Sequence, residues 1–80
     1  MKYYFISYKW LDTRSLESVW EYESTVINNS HPVQWLIYQS QSDKAKIFFI
    51  VFWEEISEEI YKEWKNKEQS YIIYLERKIL

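Results

Sequence analysis

The chain has no glycine and no cysteine, and its 80 residues include one proline, one histidine and one methionine. Each shortage removes a class of chemistry. Loops that cradle phosphate need backbone at positive φ with no Cβ where the phosphate approaches, so a P-loop or a dinucleotide fingerprint is excluded. Without cysteine there is no disulfide framework, no thiolate metal site and no thiol nucleophile. A lone His31 cannot supply a zinc site of His and Cys ligands or a triad that needs a second histidine. Next to Pro32 it reads as a residue of a helix first turn.

Long apolar runs are also missing. The longest, Ile47 to Trp53, has seven residues and cannot span a bilayer. Lys2 is followed by aromatics, Ser7 and Lys9, which is not the pattern of a cleavable leader. The expectation is a soluble, cytoplasmic protein with no membrane partner. Ten Lys and Arg against twelve Asp and Glu give a net charge of -2 and a pI near 5.4. Such a balance disfavours binding to double-stranded nucleic acid or anionic lipid. No linker, repeat or low-complexity tract divides the chain, so residues 1–80 read as a single domain.

Aromatic side chains are abundant. Five Trp, eight Tyr and four Phe make up 21% of the sequence. A chain of this length buries only a little over about 60% of the surface it exposes when unfolded. Each aromatic offers roughly 150–250 Å² of it. The surplus points to a partner or to self-association, with a homodimer as the expected assembly.

The pattern along the chain is that of an α+β fold. Lys2 to Trp10 reads as a strand, with Tyr4, Ile6, Tyr8 and Trp10 on one face. Glu17 to Ile27 alternates Trp20, Tyr22 and Val26 against Glu21, Glu23 and Thr25, which predicts a second strand paired antiparallel with the first. Ser30 can cap a helix that tolerates Pro32 in its first turn, with Val33, Leu36, Ile37 and Ser40 as the inner stripe. Ile47 to Trp53 is apolar on both faces, which favours a central strand. Ser57 reads as the next N-cap, with Glu58 and Glu59 at the positive end of the helix dipole and Ile56 placed to staple against Tyr61. This helix is expected to weaken near Asn66. Tyr71 to Leu75 has strand propensity, although Ile72, Leu75 and Ile79 also fit a helical stripe. The expected order is β-β-α-β-α-(β): a small, mainly antiparallel sheet of three or four strands with two helices, either on opposite faces or leaving one aromatic face for another molecule.

Three groups of residues are candidates for function. Trp35 and Tyr38 lie off the inner stripe among Gln34, Gln39 and Gln41, a setting typical of interface hot spots. Glu54, Glu55, Glu58, Glu59 and Glu63 form an acidic group that could dock a partner, although the Glu58–Lys62 and Glu63–Lys67 spacings also fit an ordinary solvated helix. Tyr4, Tyr8 and Trp10, flanked by Lys2 and Lys9, resemble in composition a sheet on which bases stack. The expectation is a non-enzymatic binding protein without cofactor or metal. It would act through protein–protein contacts, as an inhibitor of a host defence enzyme encoded by a phage or mobile element would. The alternative is an oligomer that sequesters a nucleotide-like small molecule by aromatic stacking, followed by a single-stranded nucleic-acid binder.

Overall fold

A computed structural model describes residues 1–67. It contains strands β1 (Tyr3–Asp12), β2 (Glu21–Asn28) and β3 (Lys46–Ile56). Helix α1 (Pro32–Ser42) joins β2 to β3, and helix α2 covers residues 58–67. The strands form one antiparallel sheet in the order β2-β1-β3. The strand or helical stripe expected within residues 71–80 lies outside the described residues. Among the described residues, no helix is long and apolar enough to cross a membrane.

Among the described residues the two-sided apolar segment is not the central strand: β1 is central, and β3 takes one edge. The cause is the connection through α1. Both β2 and β3 run antiparallel to β1, so α1 carries the chain past β1 and returns it on the far side. Apolarity on two faces therefore does not report burial here: Ile47, Phe49, Val51, Phe52 and Trp53 all stay about half exposed.

The two helices lie on opposite faces of the sheet, their aromatic rings meeting β1. Register sets Tyr4, Ile6, Tyr8 and Trp10 of β1 on one face, level with Glu55, Trp53, Ile50 and Phe48 of β3. The Trp35 ring of α1 meets Tyr8 on this face, with centroids 4.7 Å apart. On the other face lie Tyr3 and Phe5, where α2 brings Tyr61 to 4.9 Å from Tyr3 and Trp64 to 5.5 Å from Phe5. Ile6 is fully buried beneath α1, with Tyr4 nearly so, and Val26 is buried on the α2 face opposite Phe5.

Local chemistry sets both helix starts. His31, not Ser30, caps α1: its Nδ1 accepts from the Val33 amide at 3.1 Å, and Pro32 follows in the first turn. The imidazole also lies edge-on to Tyr4 and Trp53, at 5.7 and 5.0 Å. Anchored there, α1 is rotated from its expected setting. Pro32, Trp35, Leu36 and Gln39 turn inward, while Val33 and Ile37 stay about half exposed. In α2 the expected cap is present, with Ser57 Oγ accepting from the Ile60 amide at 3.2 Å, and Glu58 pairs with Lys62 at 3.2 Å. The helix runs to residue 67, where the described residues end, so the weakening expected around Asn66 lies largely outside them. Trp64 supports it by packing on Phe5.

β2 begins at Glu21, four residues later than its alternation suggested, because the chain turns at Ser18 with a φ of 47°. Trp20, just before β2, reaches Phe49 at 5.6 Å, and the Lys9 ammonium lies 4.7 Å from the Trp20 ring. At the β1 end of this loop, Arg14 donates from its backbone amide and Nε to Asp12 Oδ1, and from Nη2 to Oδ2. These bonds hold the Asp12 carboxyl down at about 2, against an ordinary 3.8. Because the folded value is the lower one, the ionised carboxylate stabilises the fold above 3.8, and that contribution disappears as pH falls through about 2. An NMR titration should place the Asp12 midpoint near the lower value, and Arg14→Ala should return it toward the ordinary one.

Candidate functional site

Helix α1 carries no charged side chain from Pro32 to Ser42, in a chain where 28% of residues are charged. One side of it covers the sheet. On the other, Val33, Ile37 and Tyr38 are 49%, 51% and 65% exposed, and Gln34 and Gln41 are exposed with them. At about 100° per residue, Gln34 and Gln41 lie between the Val33–Ile37 side and Tyr38. The result is an outer surface of aliphatic, aromatic and amide groups. Interface cores have this composition, depleted of charge and enriched in aromatics.

The structure separates the two aromatics singled out on this helix. Tyr38 is presented to solvent, whereas Trp35 is half-buried against Tyr8 and serves as cover for the sheet. The stacking candidates Tyr4, Tyr8 and Trp10 share the face beneath α1. Tyr4 is buried, with Trp53 at 5.9 Å. The Tyr8 hydroxyl donates to Glu23 Oε2 at 2.7 Å, and Lys46 Nζ sits 4.3 Å from the Trp10 ring.

The acidic residues do not form one patch. Glu54 is level with Phe5 and Glu55 with Tyr4, so the two project to opposite faces of the sheet. Glu58, Glu59 and Glu63 are exposed on α2, and Glu58 is already engaged by Lys62. Glu58 also bears on Tyr3, whose phenol is pushed up first by desolvation and then by this carboxylate. Among the described residues, no cluster of three His, Asp or Glu side chains could hold a metal ion.

Sequence reasoning missed two features. Along β3, Ile47, Phe49, Val51, Phe52 and Trp53 are 42–56% exposed. A bulge falls at Val51, since Ser7 is level with Phe52 and Tyr8 with Ile50. Bulges are set by pairing, and an apolar run carries no signal of one. The second feature is an open cavity of about 450 Å³ at the start of α1, lined by Lys2, Tyr4, Asn29, Ser30, His31 and Gln34. Its walls come from two separate stretches of the chain, residues 1–4 and 29–34.

No protein-family model, curated protein or solved structure matches the chain. A functional reading therefore rests on the geometry above.

Proposed function

We propose that the chain is a non-catalytic protein-binding module, acting in the cytoplasm, whose contact surface is the outer side of α1. The observation that carries this reading is the uncharged helix, with Val33, Ile37 and Tyr38 about half or more exposed. Burying them against a partner removes apolar area from water and desolvates no ionised group, so the gain of about 25 cal/mol per Å² is not offset by a charge penalty. Gln34 and Gln41 would supply hydrogen bonds that fix orientation. Such a module works by occupancy, for example by covering the working surface of an enzyme it inhibits.

The reading is tested by affinity capture with the wild-type chain and two variants, Ile37→Glu and Tyr38→Glu, each placing a charge on the outer surface. Both should fold with unchanged melting, because each side chain is at least half exposed. A protein captured by the wild type should be lost from both, and kept by the α2 variant Glu59→Lys. Retention by both α1 variants, or loss only with Glu59→Lys, would place the contact elsewhere.

A further inference from the structure

The β3 edge of the sheet, unpaired among the described residues, carries a second inference, independent of the α1 surface. β3 is eleven residues long and contains no proline, and no charge interrupts it from Ile47 to Trp53. Among the described residues no strand lies along its outer side. Edges that stay unpaired are usually short, or interrupted by charge or proline. The opposite edge, β2, is shorter and bears Glu21 and Glu23. We propose that the β3 edge binds a second copy of this chain across a two-fold axis, giving one continuous six-stranded antiparallel sheet.

The charge order and the bulge together identify the occupant. Lys46 opens β3, and Glu54 and Glu55 close its charged end. An antiparallel copy brings the lysine of each chain to the acidic end of the other. A two-fold axis perpendicular to the sheet also requires residues of the same face to meet. Lys46, Phe48, Ile50, Trp53 and Glu55 share the α1 face, while Ile47, Phe49, Phe52 and Glu54 share the α2 face, the alternation shifting at Val51. One register satisfies both demands. Ile50 meets its own copy at the axis, Phe49 faces Phe52, Phe48 faces Trp53, and Lys46 faces Glu55 of the second copy. Aromatic and opposite-charge pairs are favourable directly across strands. Val51, the bulged residue, lies beside the axis in each strand and is 56% exposed in the single chain. The outer strands of the assembly are the two acidic β2 edges, which disfavour further addition.

The test is native mass spectrometry of the full chain across a concentration series. The wild type should be a dimer. Lys46→Glu and Glu55→Lys should each weaken it by about tenfold or more, since like charges then meet twice per dimer. Mixing the two variants should restore a dimer, one containing a reversed charge pair and a native one. Glu54→Lys should leave the dimer unchanged, because Glu54 faces Ile47 in this register. Lys46 also contacts Asp43 and the Trp10 ring, so melting curves accompany each variant. If Lys46→Glu fails to fold, the contrast between Glu55→Lys and Glu54→Lys carries the test. A wild-type monomer at every concentration would overturn the proposal. So would equal effects of Glu54→Lys and Glu55→Lys, or folded single variants that do not rescue each other.

Discussion

Truncating Ile6 to alanine is expected to cost about 2–5 kcal/mol, the range for emptying a buried aliphatic site. Ile6 is fully buried at the middle of the central strand, level with Thr25 of β2 and Trp53 of β3. Removing its side chain leaves a void between two neighbouring strands and beneath α1. A chain of this length has a total stability of about 4–12 kcal/mol. The loss should therefore lower the melting temperature by more than about 10 °C. Ile6→Asp should abolish the cooperative transition altogether, since an unpaired carboxylate cannot be accommodated at a fully buried position. In the dilute monomer, Phe49→Ala, at a half-exposed position on β3, should cost clearly less than Ile6→Ala despite removing more atoms. Thermal denaturation of the three variants checks this ordering, and a larger loss from Phe49→Ala would mean that the core lies elsewhere.

The second large effect separates the two aromatics of α1. Trp35→Ala should destabilise the fold by about 2 kcal/mol or more, below the full range for a buried Trp because the ring is only half-buried. Its loss uncovers Tyr8 and removes an edge-to-face contact with centroids at 4.7 Å. Tyr38→Ala should change stability by no more than about 0.5 kcal/mol, as expected for a side chain 65% exposed with no core role. Partner binding should depend on Tyr38 all the same. Chemical denaturation measures the first difference and capture the second. Equal stability losses would contradict the orientation assigned to α1.

Much of the fold is legible from residue pattern. The alternation around Val26 places β2 against β1, Ser57 marks the start of α2, and the order β-β-α-β-α follows the pattern through residue 67. The failures have physical causes. Ile47 to Trp53 reads as a central strand because an apolar residue on each face suggests burial. That pattern cannot distinguish a buried strand between two neighbours from an edge strand whose apolar side chains stay about half exposed. The inner side of α1 differs from the stripe its sequence suggests because periodicity sets a spacing but not a rotation. The rotation is fixed by the His31 cap docking on Tyr4 and Trp53, residues 27 positions before and 22 after it in the chain. Glu54 and Glu55 looked like one acidic group because they are adjacent, whereas strand geometry sends adjacent side chains to opposite faces. The absence of charge in α1, by contrast, can be read from the sequence directly. It gains meaning once Val33, Ile37 and Tyr38 are known to face outward.

Residue-resolved amide hydrogen exchange tests the central arrangement most directly: β1 flanked on both sides, and β3 unpaired along its outer side among the described residues. In dilute solution, where the chain is monomeric by mass, consecutive amides from Tyr4 to Trp10 should all exchange slowly. Along β3, roughly every second amide should exchange fast, and these should slow as concentration rises and the edge pairs with a second copy. Uniformly slow exchange along β3 in the dilute monomer would contradict the arrangement, because it would show that the edge is covered within the chain itself.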